Sequence, residues 1–332
     1  MRTGQRLIRN VIAWGVTALR SGAGILPWNA GVALGGRLGA WAFALLPSTR
    51  RRALTHLITA FPSGMSDADR RRIARLSFAN LGRSLFELLM LSSHPRTPIE
   101  RLCAVEGEDR LKTALAAGRG VIFLTGHLGN WELMAALVTR RGYPASVVAT
   151  PLYDPRLDRL LVDARAAQGV HTISRGSPSS PKHLLSCLRR NAILGMLIDQ
   201  DTDVEGVFVP FFGRPAHTPA GAATIALKTG AAVVFGFILR EGGHRHRLII
   251  RGPVELIRTG DHARDVSENT ALFTREIEQA IRAYPEQWVW MHNRWKRQPA
   301  AHEGEKEPLP LPGGVSELSA SPAQTGAGGA GS

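Results

Sequence analysis

The chain has 332 residues, 44% hydrophobic and 20% charged; it is long enough for a large core in one or two domains and too apolar for a disordered chain. Its two cysteines, Cys103 and Cys187, have no Cys or His partner at metal-ligand spacing, which excludes a zinc ribbon, a CxxC redox centre and a disulfide scaffold. A formal net charge of +14 says nothing of the fold but implies anionic company: nucleic acid, anionic lipid or an acidic protein.

Residues 1–66 carry eight arginines and no Asp or Glu. The stretches between them are apolar, and the charge-free gaps after Arg9, Arg20 and Arg37 are 10, 16 and 12 residues, short of the ~18 of a plain spanning helix. Three arrangements fit: a cleaved signal peptide over Met1–Leu19, with Arg20 ill placed in the cleavage region; a tilted spanning anchor with snorkelling arginines; or helices in the membrane interface or packed on the domain. The last two both bring this end to the cytoplasmic leaflet. Residues 1–65 are therefore expected to form basic, apolar, membrane-associating helices.

The next segment, Ser66 to Met90, reads as a helix. Ser66 can cap it with Asp69 completing the box, and Ile73, Leu76, Leu81, Leu85 and Leu88 give an apolar face. From about Val105, apolar β-rich runs alternate with helical stretches. The runs are Val121–Thr125, Ser146–Thr150, Val170–Ile173, Ile193–Ile198, Ala231–Leu239 and Leu248–Ile250. The helices are Pro155–Gln168, Pro181–Arg190 and Pro219–Lys228, and later Val266–Ala283. This alternation predicts an α/β domain over 66–298: a mixed, largely parallel sheet flanked by helices. Residues 299–332 are Pro, Gly, Ala, Ser and Glu, the composition of a disordered tail.

The segment richest in chemistry runs Gly120-Val-Ile-Phe-Leu-Thr-Gly-His-Leu-Gly-Asn-Trp-Glu132. A buried strand ends at Thr125, Gly126 and Gly129 permit a tight turn, and a helix begins near Asn130. His127 thus falls in a strand-to-helix loop, where α/β sheets place their sites. On a continuous helix Glu132 would lie about 140° from it; a turn lets imidazole and carboxylate converge. A His with a carboxylate is a general base, and backbone N–H groups at the helix start can hold an oxyanion. The alternative is a histidine that merely caps a helix.

Gly-His-Leu-Gly-Asn-Trp-Glu resembles the His-x4-acid motif of the lysophospholipid and glycerolipid acyltransferase superfamily, and further segments in order resemble its lipid A late acyltransferase branch, the lauroyl/myristoyl transferases. These are Arg50-Arg-Arg-Ala-Leu with Ala60-Phe-Pro62; Phe78-Ala-Asn-Leu-Gly-Arg83 with Phe86-Glu87; Asp199-Gln-Asp201 before Gly206-Val-Phe-Val-Pro-Phe-Phe-Gly213 and Thr218-Pro219; and Pro285-Glu-Gln-Trp-Val-Trp-Met-His292 with Arg294-Trp-Lys296. The resemblance covers roughly residues 25–297. It implies acyl transfer from acyl carrier protein to a 3-hydroxyl of a Kdo-bearing lipid A precursor, at the cytoplasmic side of the inner membrane and without a cofactor. His127 is then the base and Glu132 its orienting partner. An alcohol needs such a base as it attacks a thioester, and no Ser or Cys nucleophile is required.

By the same resemblance Arg175 looks like a phosphate or donor contact, and Asp199 and Asp201 support the site or bind acceptor, with Asn130 among the substrate-binding residues. Asp199, Asp201 and Asp203 read as D-x-D-x-D, but Val204 and Pro210 stand where a calcium loop wants Gly and Glu, so no metal is expected. Phe208–Phe212, Phe211 included, reads as an apolar loop lining an acyl groove, against simple core packing. His244 and His246 alternate with arginines at a hairpin and read as solvated. Trp288, Trp290 and Trp295 with His292, Arg294 and Lys296 suit either a membrane interface or a packed strand. Two rivals remain: a sister acyltransferase acting on another glycolipid such as a phosphatidylinositol mannoside, and a non-catalytic basic membrane- or nucleic-acid-binding module, the latter without a recognised nucleic-acid motif.

Overall fold

The computed structural model describes residues 15–16, 19–20 and 22–299; most of the expected signal-peptide segment and, from residue 300, the expected tail lie outside the described residues. Trp28–Leu45 (α1) and Pro47–Ala60 (α2) form a helical pair bent by 92°. No single described helix is long and apolar enough to cross a membrane. Asp67–Ser93 (α3) starts as expected, with Ser66 Oγ accepting from the Asp69 N–H at 3.1 Å and donating to its carboxylate at 2.7 Å. α1 lies so close on α3 that a Cβ on Gly35 would sit 2.6 Å from the Gly82 carbonyl oxygen. From α2, Ala53, Leu57 and Ala60 enter the same core as Phe78 and Trp288.

The α/β body follows in strict alternation at first. Its elements are Cys103–Glu106 (β1), Glu108–Ala116 (α4), Val121–Thr125 (β2), Trp131–Arg140 (α5), Ala145–Ala149 (β3), Pro155–Ala166 (α6), Val170–Ser174 (β4), Ser180–Arg189 (α7) and Ile193–Leu197 (β5). Then come Gly206–Phe211 (β6), Arg214–Pro219 (β7), Gly221–Thr229 (α8), Ala232–Gly242 (β8), Arg245–Val254 (β9) and His262–Ala283 (α9). Seven strands form one sheet in the order β1-β9-β8-β2-β5-β3-β4. It is parallel throughout except at the β8–β9 hairpin, which makes it the mixed, largely parallel sheet expected.

Neighbouring residues of one strand serve opposite cores, as the two-residue period requires. Val121 and Phe123 pack with Leu133 and Leu137 of α5 on one face; Ile122 and Leu124 pack with Leu188 of α7 and Phe273 and Ile277 of α9 on the other.

The expected loop at Phe208–Phe212 is corrected. β6 and β7 pair as an antiparallel two-stranded ribbon turned through Phe212 and Gly213, both with positive φ. Phe211 is fully buried, 5.7 Å from the rings of Trp288 and Trp295, with the Arg294 guanidinium 4.8 Å from its centroid. It is a core residue, not part of an acyl groove. Trp288, Trp290 and Arg294 are likewise buried, so of the two readings of the closing segment the packed one holds for them.

Candidate active site

The site grows from the register of two parallel strands. Val121 to Thr125 stand beside Ile193 to Leu197 in unbroken step. Continued two residues beyond each strand, that register sets His127 beside Asp199. The His127 backbone N–H donates to Asp199 Oδ2 at 2.7 Å, its ring Nδ1 lies 2.8 Å from Oδ1, and the Trp288 indole N–H donates to Oδ2 at 2.7 Å. Burial alone would raise the carboxyl's pKa; the imidazole and these hydrogen bonds outweigh it and hold it at about 2. An ionised carboxylate only accepts, so Nδ1 carries the hydrogen and Nε2 is the basic nitrogen.

The two glycines of the loop have distinct reasons. A Cβ on Gly126 would sit 2.9 Å from Asp199 Oδ2; one on Gly129, at φ +65°, would fall 1.6 Å from the Ile238 carbonyl oxygen. The loop is pinned from outside. The Gly129 N–H donates to the Gln287 carbonyl at 3.0 Å, the Val289 N–H to the His127 carbonyl at 3.2 Å, and the Ser84 hydroxyl to the Gly129 carbonyl at 3.2 Å.

The expected partnership of His127 with Glu132 is corrected by these contacts. Glu132 takes a two-pronged ion pair from Arg165 of α6, at 2.8 Å from Nε and 2.5 Å from the terminal nitrogen. The carboxylate on His127 is Asp199, expected only as support or an acceptor contact. Asn130 is also reassigned. It is buried, its Oδ1 caps α5 by accepting from the Leu133 N–H at 3.0 Å, and its amide donates to Glu87 at 2.7 Å. That cap engages one of the helix-start N–H groups expected to face an oxyanion. Asp201 is buried beneath Arg297, 2.9 Å from its Nε, and ties down the closing segment.

Arg175, expected as a phosphate or donor contact, lies on the wall of the cavity that His127 also lines. Its guanidinium donates to Thr202 Oγ1 at 3.2 Å and has no ion pair among the described residues; burial lowers its pKa. The cavity measures about 780 Å³ and lies between the sheet and helices α5 and α6. The strand side chains and Met134 and Val138 make it mostly apolar, and Glu132, Arg165 and Arg175 line it with the Trp131 ring, 4.8 Å edge-on from His127.

Glu87 was visible only as part of a motif, and its role is structural. It is fully buried and accepts from both terminal nitrogens of Arg240 at 2.7 Å and from Asn130, with His246 Nε2 at 2.9 Å. His246 is thus corrected from solvated to buried. Burial raises the Glu87 pKa, but Arg240 and His246 outweigh it and bring it from 4.5 to about 2. A depressed folded pKa contributes stability that is complete above about 4.5 and is lost as pH falls towards 2. Glu87→Gln should therefore lower stability by ~3–5 kcal/mol at pH 7, as expected when one partner of a buried charge pair is removed. It should also flatten the fall of melting temperature between pH 4.5 and 2; thermal melts across that range check both.

A histidine held by a buried carboxylate beside a mostly apolar cavity, at the carboxyl ends of parallel strands, is an arrangement suited to general-base chemistry. The family model for bacterial lipid A biosynthesis acyltransferases matches residues 2–297, and the chain belongs to that family of acyltransferases. It is 27% identical to the phosphatidylinositol mannoside acyltransferase of Mycobacterium tuberculosis strain H37Rv over 75% of this chain and 77% of that protein. It is 27% identical to the lipid A biosynthesis palmitoleoyltransferase of Escherichia coli K12 over 82% of this chain and 87% of the relative, and 26% identical to the lauroyltransferase of the same strain over 82% and 88%.

Proposed function

We propose that this acyltransferase moves a fatty acyl chain from acyl carrier protein to the 3-hydroxyl of a Kdo-bearing lipid A precursor, at the cytoplasmic face of the inner membrane. The observation that carries the chemistry is the His127–Asp199 pair at an apolar cavity. His127 Nε2 takes the hydroxyl proton as the acceptor oxygen attacks the thioester carbonyl carbon. The tetrahedral intermediate collapses, the carbon–sulfur bond breaks, and the leaving thiolate takes the proton back from Nε2. Asp199 keeps the hydrogen on Nδ1 and stabilises the imidazolium between those steps. Arg175, a cation with no counter-ion among the described residues, suits a donor phosphate.

Membrane docking is supported by the outer side of the bent pair. Trp41, Leu45, Leu46 and Ile58 are exposed there, with Arg51 and Arg52, the mixture that lies well in an anionic interface.

The donor assignment has a kinetic test. Acyl carrier proteins are acidic, and raising salt from ~50 to ~500 mM shortens the screening length about threefold. The expected result is a marked fall in kcat/KM for the carrier-bound donor, because charge steers encounter, and poorer use of acyl-coenzyme A. The second reading, a phosphatidylinositol mannoside or related acceptor, is favoured by the mycobacterial relative. A preference for acyl-coenzyme A, or a kcat/KM indifferent to salt, would overturn the carrier-protein donor and strengthen the second reading against the first. Mass spectrometry of product from each acceptor completes the comparison.

A further inference from the structure

We propose that Gly195 sets the length of the acyl chain transferred, its absent side chain being the open middle of the cavity that begins at His127. The inference rests on that cavity holding the donor chain. The transferred chain ends at the carbonyl that must lie against His127 Nε2, so its hydrocarbon runs away from that point into the cavity His127 lines.

Along β5 the residues on the cavity face are Leu197, Gly195 and Ile193. Leu197 lies near the His127 end, and Ile193, with Val138 and Ala145, closes the other. Leu197 to Ile193 spans about 13 Å at ~3.3 Å per residue.

Glycine weakens the interior of a strand, and where it persists it often marks the close approach of a ligand. Here backbone conformation gives no reason for a glycine, and sterics give only a partial one. Gly195 is not among the glycines of positive φ. A Cβ on it would meet the Ser146 carbonyl oxygen at 3.6 Å and Val147 Cγ1 at 3.2 Å, a tight contact that the Val147 side chain must yield to slightly, but not the backbone collision that fixes Gly129. What glycine provides at 195 is the space above it. Across the sheet a second glycine keeps the lane clear: a Cβ on Gly236 would fall 1.9 Å from the Phe123 ring. That ring therefore reaches over β8 and lines the cavity from the side.

The test is a series of thioester donors differing by two methylenes, carried on acyl carrier protein and in parallel on coenzyme A, with one fixed acceptor. Gly195→Ala should move the preferred chain to a shorter one and Gly195→Val further, while Val138→Ala at the far end moves it to a longer one. Each methylene shut out of the cavity should lower kcat/KM about fourfold, so the chain the wild type prefers loses more than about tenfold in the valine variant. The shortest donors should lose least, and a thermal melt beside the kinetics shows that the variant folds. If Gly195→Val fails to fold, the opposite shifts of Gly195→Ala and Val138→Ala still decide the matter. Rates that fall evenly along the series with the optimum unmoved would overturn the role of Gly195. So would an optimum that follows the acceptor's chain when that is varied instead. A wild-type enzyme that transfers none of the donors would overturn the acyl-transfer reading itself, a different failure.

Discussion

His127→Ala should lower acyl transfer by about 10²–10⁴-fold, the range for loss of a general base, and leave the fold in place. The reason it should fold lies in what remains on Asp199. The backbone N–H of residue 127 and the Trp288 indole still donate to Oδ2, so the buried carboxylate keeps two charge-stabilising partners. The loop also keeps its bridge to Trp288 and the Val289 N–H. Single-turnover transfer from a thioester donor, with a thermal melt beside it, makes the measurement. Retention of more than about half the activity would be incompatible with a general base at this position.

Asp199→Asn should be nearly as damaging, up to about 10⁴-fold, the scale on which the wrong imidazole tautomer acts in a histidine–aspartate pair. The amide can place its oxygen where Oδ2 now accepts from the His127 backbone and Trp288. Its NH2 then faces Nδ1 and donates to it. The ring hydrogen moves to Nε2, and the nitrogen facing substrate ceases to be a base. The loss should fall in kcat, with the acidic limb of the pH profile altered, since a general base must be unprotonated to act, and acceptor KM little changed. Glu132→Gln is the informative contrast. It leaves Arg165 short of its counter-charge on the cavity wall, so it should reduce both activity and melting temperature, yet the shape of the pH profile should stay that of the wild type. If Glu132→Gln reshapes the profile and Asp199→Asn does not, the partners of His127 have been assigned the wrong way round.

The strand ends carrying the site were legible because continuous apolar runs such as Val121–Thr125 stop at a glycine, and His127 follows at once. Its partner was not. Proximity in sequence favoured Glu132, five residues away, whereas the pairing of residues 72 apart depends on which strands are neighbours and in what step, information that local periodicity does not contain. Phe208–Phe212 reads as a loop because Pro210 argues against a strand interior; an isolated ribbon accommodates it since each strand has a free edge. His246 carries a usable signal in the sequence itself. With Leu248 and Ile250 it occupies every second place of β9, all three buried, and that alternation outweighs the arginines on either side. Glu87 and Arg165 had no such signal. They look like ordinary helix charges until their partners from distant strands and helices are in place.

The step-matched strands β2 and β5 have a consequence for how such an enzyme can diversify. His127 and Asp199 project from adjacent strands, so their distance is fixed by backbone ladder bonds. The long excursion between them, from Asn130 through α5, β3, α6, β4 and α7, carries the other cavity walls, the Glu132–Arg165 clasp and Arg175. Substitutions and insertions in that excursion can reshape what is admitted without displacing the proton-transfer pair. Inheritance can therefore vary the clientele of the site while holding its chemistry still.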